Sequence, residues 1–285
     1  MREVETGEVT VDGVRSPLIQ AGPADDSEAI VFLHGNPGSR LDWQDLVGRV
    51  GEFGRAVAFD MPGFGQADKP RNFDYTVEGY AGFIEGALEQ LGVERVHLVV
   101  HDFGGPWGWA WASQHTDRLG SVVAINTGML SGRKWHKLAR IFRTPVRGEL
   151  VMALTRRHQL EQALTGNGTV PLPGEFLDRI WHDFDRRTRR AILKLYRATD
   201  LPSPQGQKWV RTLAGLDPPT LILFGDRDPA LPAEAHIRHL RSAFPSAEVM
   251  RLPESGHFPF ADDPERSAQA VVPFLRSRLG AGAPA

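Results

Sequence analysis

The stretch V-H-L-V-V-H-D-F-G-G-P-W-G, residues 96–108, carries the strongest structural signal in the chain. Its first five residues are mostly apolar and predict a buried parallel strand, and Gly104 and Gly105 permit a tight turn into a helix. Asp102 lies at the tip of that turn, where the N–H groups of a helix N-terminus favour an ionised carboxylate that points outward. Asp102 is therefore either a nucleophile or a helix N-cap, a position at which Asp is common.

The composition is that of an ordinary globular protein of 285 residues, 41% hydrophobic and 24% charged. This length is enough for one sizeable core, or for a core that carries a long insertion. A net charge of -2 argues against a nucleic-acid partner, and no apolar run reaches the roughly 18 residues that a membrane-spanning helix needs. The acidic N-terminus is unlike a secretory signal, so we expect a cytoplasmic protein. The absence of cysteine excludes disulfides, thiolate metal sites and cysteine nucleophiles.

Strand-like and helical segments alternate along most of the chain. A β-hairpin is predicted over residues 3–20, and strands are predicted at residues 29–33, 55–59, 96–100, 121–126, 220–224 and 247–252. This alternation predicts a mostly parallel sheet covered by helices on both faces. In such sheets ligands bind at the carboxyl ends of the strands, where Gly- and Pro-rich loops follow here.

Residues 129–208 break this pattern, because strand signals vanish and helical segments alternate with Gly- and Pro-rich breaks. We interpret this region as a helical cap inserted into a core formed by residues 1–128 and 209–285. Between Gly132 and Arg197 the cap has fifteen Lys and Arg against six Asp and Glu. Such a basic surface is either a solvated helical face or a region that attracts an anionic ligand, partner or membrane surface.

Three chemically reactive side chains follow predicted strands at the same edge of the sheet. They occur in the order Asp102, then Asp226 or Asp228, then His257. Nucleophile, acid and histidine is the chain order of catalytic triads in α/β-hydrolases. The combined order and placement favour a nucleophilic role for Asp102 over capping.

The sequence resembles the α/β-hydrolase superfamily, specifically its branch of epoxide hydrolases and haloalkane dehalogenases, in which the nucleophile is an aspartate. Four motifs carry this resemblance: H-G-N-P at 34–37, H-D-F-G-G-P at 101–106, G-D-R-D-P at 225–229 and G-H-F at 256–258. The serine motif G-x-S-x-G is absent, since Val100, Asp102 and Gly104 occupy its positions. This departure disfavours esterases, lipases and peptidases. The resemblance implies an α/β-hydrolase fold with a helical cap.

The resemblance also implies a mechanism and its residues. Asp102 would displace a leaving group at an sp³ carbon and form an ester, which water activated by His257 would hydrolyse. In family members the acid is the second Asp of G-x-x-D, which is Asp228, with Asp226 as the alternative. Backbone N–H groups of Asn36 and Phe103 would stabilise the oxyanion. No metal or organic cofactor is required, and the partners are a small-molecule substrate and water.

The choice between two reactions depends on the leaving-group donors. Haloalkane dehalogenases hold the halide between the H-G-N-P asparagine and a Trp directly after the nucleophile. Asn36 matches this pattern, whereas Phe103 has no N–H donor in its side chain. Trp107 or Trp135 could substitute, although the pattern of Trp107, Trp109 and Trp111 is typical of a helix packed against the sheet.

Epoxide hydrolases instead protonate the opening oxygen, usually with two tyrosines of the cap. The segment L-K-L-Y-R-A at 193–198 resembles the second tyrosine motif and makes Tyr196 the candidate proton donor. Residues 135–145, which resemble the neighbourhood of the first, contain no tyrosine, but Trp135 or His136 could donate a hydrogen bond. We therefore favour an epoxide hydrolase narrowly over a haloalkane dehalogenase. A hydrolase-like receptor for a small ligand and an ester hydrolase are further alternatives.

Overall fold

An eight-stranded sheet forms the centre of the molecule. The computed structural model describes residues 1–130, 135 and 137–280. The strands are β1 (Glu5–Val11), β2 (Val14–Ala21), β3 (Glu28–Leu33), β4 (Arg55–Phe59), β5 (Arg95–Asp102), β6 (Leu119–Thr127), β7 (Thr220–Gly225) and β8 (Glu248–Leu252). Their order is β1-β2-β4-β3-β5-β6-β7-β8. The pairs from β4 to β8 are parallel, whereas β1 and β2 form a hairpin that adds to β4 in antiparallel fashion. The prediction of a mostly parallel sheet is confirmed.

Helices connect the strands and cover both faces of the sheet. They are α1 (Gln44–Val50), α2 (Val77–Gln90), α3 (Gly104–Ala112), α4 (Lys137–Arg143), α5 (Arg147–Leu154), α6 (Arg157–Leu164), α7 (Gly174–Asp183), α8 (Arg186–Ala198), α9 (Pro204–Leu216), α10 (Ala233–Ala243), α11 (Pro259–Asp262) and α12 (Pro264–Arg276). Every helix in the described part of the chain is too short or too polar to cross a bilayer.

The alternation of side chains along the strands builds one hydrophobic core on each face of the sheet. In β3, Val31 and Leu33 pack with α2 and α3, whereas Ile30 and Phe32 pack with α1 and α12. Strands covered on both faces read as continuous apolar runs. This burial explains why residues 29–33 and 96–100 contain so few polar side chains.

Helix α3 is buried on all sides, and its three tryptophans belong to the core, as predicted. The ring of Trp107 stacks on Tyr80 of α2 with centroids 4.3 Å apart. The indole N–H of Trp109 donates to the carbonyl of Gly128 at 3.1 Å, and that of Trp111 donates to Glu85 at 2.7 Å. A tightly packed α3 gives the turn at Asp102 a rigid support.

In the described part of the chain between β6 and β7, where the sequence predicts the inserted cap, the structure has helices α4 to α9. Helix α4 packs against α5 and α8, and α5 also packs against α8. Helix α9 instead contacts α3 and α10, and residue 208, the predicted end of the cap, lies within it. The exact division between core and cap stays a prediction.

Candidate active site

The turn after β5 holds Asp102 in an uncommon backbone conformation. Its φ of 48° lies in the left-handed region, which non-glycine residues rarely adopt. The hydroxyl of Thr127 donates to the carbonyl of Asp102 at 2.6 Å and stabilises the turn. The loop after β3 approaches so closely that a Cβ on Gly35 would lie 2.4 Å from the Cβ of Asp102. A strained residue at the edge of a rigid sheet is a frequent feature of active sites.

Two backbone N–H groups converge on the Asp102 carboxylate. The N–H of Asn36 donates to Oδ1 at 2.8 Å, and the N–H of Phe103 also binds this carboxylate. Burial raises the pKa of Asp102, while the charge of His257 and these two N–H donors oppose the rise. From the sequence alone, the ionised state of Asp102 is attributed to the helix N-terminus. The structure shows that this is one of several competing influences on the pKa of the carboxylate.

His257 lies between two carboxylates. Its Nδ1–H donates to Oδ2 of Asp228 at 2.7 Å, and its Nε2 lies 3.7 Å from Oδ2 of Asp102. Burial lowers the pKa of His257, but the charges and hydrogen bonds of the two aspartates outweigh it and raise the pKa to about 9. Burial acts to raise the pKa of Asp228, yet His257 and further donors hold it below the usual range. The arrangement can orient an imidazole and stabilise its positive charge.

The two candidate acids after β7 point in different directions. Asp228 is buried, and its Oδ1 accepts the N–H groups of Ala230 and Leu231 at 2.8 and 2.9 Å. Asp226 instead accepts a hydrogen bond from Arg251 at 2.7 Å near the surface. The geometry therefore brings Asp228, and not Asp226, to the histidine.

Asn126, at the end of β6, also holds this acid, and the sequence analysis did not identify it as a site residue. Its Nδ2 donates to Oδ2 of Asp228 at 2.8 Å and to the carbonyl of Gly256 at 3.1 Å, and its Oδ1 accepts the N–H of Gly225 at 2.9 Å. The available signal was the N-T-G that ends the predicted strand. Asn and Gly are each common in turns, so the signal did not distinguish a loop from a site residue.

Two further histidines flank the site and support its loops. His34 donates from Nδ1 to the carbonyl of Gly35 at 2.8 Å and accepts the N–H of Met61 at Nε2 at 2.9 Å. His101 is buried, with Nε2 2.8 Å from the carbonyl oxygen of His257. Burial lowers the pKa of His101 well below its ordinary value. A neutral His101 can donate this hydrogen bond and hold the His257 loop.

Tyr196 of α8 reaches the site from the cap. Its hydroxyl lies close to the side chain of Asn36, which acts to lower the pKa of the phenol; the buried Oδ1 of Asn36 has no hydrogen-bond partner in the described part of the chain. Burial raises the pKa of Tyr196, and the charge of Asp102 adds to the rise. The phenol therefore keeps its proton. Its ring makes edge contacts with Phe103 and Trp135, each at 5.3 Å.

The remaining candidate donors differ in position. The ring of Trp135 lies nearly parallel to that of Phe103 at 6.2 Å, and its buried indole N–H has no hydrogen-bond partner among the described residues. Trp107 is enclosed in the core against Tyr80, so it is not placed to replace a Trp at position 103. His136, the other candidate, lies outside the described residues.

Two largely apolar cavities meet at Asp102. The larger, of about 420 Å³, extends between cap helices and is lined by Asn36, Leu138, Phe142, Met152, Leu154 and Leu160, among others. The smaller, of about 380 Å³, is lined by Phe103, Met129, Leu130, Trp135 and His236, among others. Asp102, Tyr196, Pro229, Ala230 and Leu231 line both. The shared walls place Asp102 and Tyr196 where the two cavities join.

The model of the alpha/beta hydrolase fold family matches residues 28–264, which is most of the chain. The chain belongs to the α/β-hydrolase family. Among the residues of this α/β-hydrolase that the structure describes, no group of three His, Asp or Glu side chains is arranged to hold a metal ion.

The relatives of this α/β-hydrolase include proteins named for two different activities. It is 26% identical to haloalkane dehalogenase 2 of Mycobacterium bovis over 249 residues, 85% of this chain and 86% of that protein. It is 27% identical to a cis-3-alkyl-4-alkyloxetan-2-one decarboxylase of Xanthomonas campestris. The alignment of 296 positions, gaps included, covers 92% of this chain and 93% of that protein. The haloalkane dehalogenase DatA of Agrobacterium tumefaciens superposes with a TM-score of 0.80 at 25% identity, covering 96% and 97% of the two chains. The sequence resemblance to the α/β-hydrolases is confirmed.

Proposed function

We propose that this hydrolase opens a small apolar epoxide through an ester on Asp102, which water then hydrolyses to a diol. The observation that carries the proposal is the position of Tyr196. Its protonated hydroxyl lies against Asn36 and lines both cavities together with Asp102. An oxygen leaving group needs a proton donor opposite the attacking carboxylate.

In the first step, Oδ2 of Asp102 attacks an epoxide carbon. A C–O ester bond forms, the C–O bond of the ring breaks, and Tyr196 gives its proton to the departing oxygen. The phenolate then regains a proton from solvent. Oδ2 is the reacting atom in this proposal because Oδ1 already accepts the N–H of Asn36.

In the second step, Nε2 of His257 removes a proton from water, and the hydroxide adds to the ester carbonyl. The N–H groups of Asn36 and Phe103 stabilise the oxyanion, since they already point at the carboxylate. Collapse of this intermediate restores the Asp102 carboxylate, and His257 returns the proton to the departing alkoxide. Asp228 and Asn126 hold the imidazole in the required tautomer.

The two cavities favour a substrate with an apolar group on each side of the reacting ring. Their walls are mostly aliphatic and aromatic, and they meet at Asp102 and Tyr196. A ring in the middle of an apolar chain would place one arm in each cavity. The Xanthomonas relative is consistent with this shape, because the compound in its name is an oxetan-2-one ring with alkyl groups on two adjacent carbons.

Haloalkane dehalogenation is the second candidate. It is favoured by the indole N–H of Trp135, which has no partner among the described residues, and by the activity for which several relatives are named. It ranks second because halide binding requires donors that converge, whereas Asn36 lines one cavity and Trp135 the other. Phe103 contributes no side-chain donor between them.

The test is to trap the ester in His257→Gln, which retains the nucleophile and lacks the base. Incubation with disubstituted epoxides should add the mass of the whole epoxide to the peptide that contains Asp102, since no atom leaves. A haloalkane would instead replace a proton with its alkyl group and release one equivalent of halide. The double variant Asp102→Ala/His257→Gln is the control and should form no adduct. An adduct only with haloalkanes would establish the second candidate, and the absence of both adduct and turnover would refute both.

A further inference from the structure

Helix α5 of the cap exposes an unusual row of large aliphatic side chains. Val146, Leu150 and Leu154 are 68%, 55% and 71% exposed, and Leu138 on the preceding helix is also exposed. Leu150 and Leu154 are four residues apart and lie on one side of the helix, and Val146 directly precedes its first residue. We refer to these four residues as the α5 face. A contiguous exposed apolar patch marks an interaction site more often than a single exposed leucine does.

The opposite side of α5 is firmly packed. Gly148 and Met152 are buried, and a Cβ on Gly148 would lie 2.9 Å from a side-chain carbon of Leu193 on α8. The helix therefore has a normal buried side in addition to the α5 face. Helix α5 attaches to the rest of the protein through this buried side, so the α5 face is not needed for that attachment.

Cationic residues lie close in sequence to the residues of the α5 face. Lys137, Arg140, Arg147 and Arg156 are exposed, and none of them forms an ion pair in the part of the chain that the structure describes. Other cations of the cap behave differently: Arg197 pairs with Glu149 at 2.6 Å, which offsets the carboxylate of α5 itself. An apolar strip accompanied by uncompensated positive charge complements an apolar surface that carries negative charge.

The α5 face also adjoins the larger cavity. Leu138 and Leu154 belong to the face and line that cavity as well. An apolar molecule at this face would therefore contact two residues that also line the cavity. This continuity favours a lipid surface over a protein partner as the occupant.

We propose that the α5 face docks on an anionic lipid bilayer, with Val146, Leu150 and Leu154 in the interface and the neighbouring cations on the headgroups. Interfacial helices bind in this manner, through buried apolar area combined with attraction to anionic lipids. The proposal is independent of the reaction at Asp102, because it concerns only the outer surface of the cap. It also gives a role to the basic composition of the cap.

The experiment is cosedimentation of the full chain with vesicles of phosphatidylcholine alone and of phosphatidylcholine mixed equally with phosphatidylglycerol. We expect binding to the mixed vesicles that weakens with added salt, and much weaker binding to the neutral ones. Val146→Glu/Leu150→Glu should lower the apparent affinity for mixed vesicles by about tenfold or more. Neither residue lines a cavity. Arg140→Gln/Arg147→Gln should weaken binding to mixed vesicles and leave the residual binding to neutral ones unchanged.

The matched control is Leu216→Glu/Val249→Glu, which introduces the same charges at two aliphatic residues that are 37% and 40% exposed elsewhere. This variant should bind vesicles like the unaltered chain, and circular dichroism should show that all variants are folded. Equal losses in both double variants, or no binding of the unaltered chain to mixed vesicles, would overturn the proposal. Light scattering that finds a dimer, converted to a monomer by Val146→Glu/Leu150→Glu, would identify a second copy as the occupant instead.

Discussion

The edge of the sheet and the cap contribute to the same cavity walls in different ways. At the sheet edge, backbone N–H groups hold both carboxylates of the site. Those of Asn36 and Phe103 hold Asp102. Those of Ala230 and Leu231 hold Asp228, which in turn orients His257. In the cap, Tyr196 lies on helix α8 and is positioned by packing against the rings of Phe103 and Trp135. Turn geometry is encoded by short motifs, whereas ring packing depends on residues far apart in the chain. The difference predicts which substitutions abolish chemistry and which only slow one step.

The largest expected effect separates the two aspartates that follow β7. Asp228→Asn should lower turnover by about 10³- to 10⁴-fold, because His257 loses the acceptor that orients its Nδ1–H and stabilises its charge. Asp226→Asn is the matched control, since Asp226 contacts Arg251 and not the histidine. Steady-state kinetics on any substrate that the trapping experiment identifies would measure both. Comparable losses in the two variants would contradict the assignment of Asp228.

The free energy of unfolding should be more sensitive to substitutions in the core than to substitutions on the exposed α5 face of the cap. Leu98→Ala in the fully buried β5 should lower the free energy of unfolding by about 2 to 5 kcal/mol, because it removes buried methyl groups and leaves a cavity. Leu150→Ala on the exposed α5 face should change it by less than about 0.5 kcal/mol. Urea unfolding at one pH compares the two. A large loss with Leu150→Ala would mean that the α5 face is covered in solution.

The motifs of the sheet edge could be predicted because each strand is an apolar run that ends in a Gly- or Pro-containing loop. The parallel order then brings the loops after β5, β7 and β8 to one edge, so Asp102 and His257 could be placed together from chain order. The choice between Asp226 and Asp228 was open from the residues alone. Two identical side chains two residues apart differ only in how the turn directs them, and that direction depends on hydrogen bonds to Ala230, Leu231 and Asn126.

The contacts that the cap makes with the site could not be predicted as well from the sequence. The pattern of α8 indicates a helix with one apolar side, but its rotation and its height above the sheet follow from packing against α4 and α5. The contact between Tyr196 and Asn36 joins residues in the cap and the first part of the core. Asn126 was missed for a related reason, because its role depends on Gly225 and Gly256, which lie about a hundred residues further along the chain.

A smaller effect on rate is expected from removing the hydroxyl of Tyr196, the proposed proton donor in the cap. Tyr196→Phe should slow ester formation from an epoxide by about 10²-fold, because the oxygen would depart without a proton, and should leave ester hydrolysis nearly unchanged. Rapid-quench measurement of the adduct separates the two steps. Tyr75→Phe is the control, since Tyr75 donates to the carbonyl of Pro70 and lines neither cavity. Equal slowing of both steps would place Tyr196 in substrate binding or packing instead of proton donation.

The smallest expected effect is the dependence of the rate of ester hydrolysis on pH. It follows from the electrostatic interaction between Asp102 and His257. The charges of Asp228 and Asp102 overcome burial and raise the pKa of His257 to about 9, so its imidazole is mostly protonated at neutral pH in the free enzyme. In the ester Asp102 is uncharged, and the pKa of His257 must therefore fall below that value. Because only the neutral imidazole accepts a proton from water, the rate of ester hydrolysis should rise by about tenfold per pH unit below this lowered pKa and level off above it.

Single-turnover decay of the adduct across the pH range measures this profile. Ester formation should show a different dependence: it needs ionised Asp102, whose pKa is raised by burial, and it should decline only on the acid side. A hydrolysis rate that is independent of pH, or that falls as pH rises, would mean that His257 does not act as the base. A plateau reached only above pH 9 would mean that the charge of Asp102 contributes little to the pKa of His257. The imidazole would then be held in its protonated form mainly by Asp228.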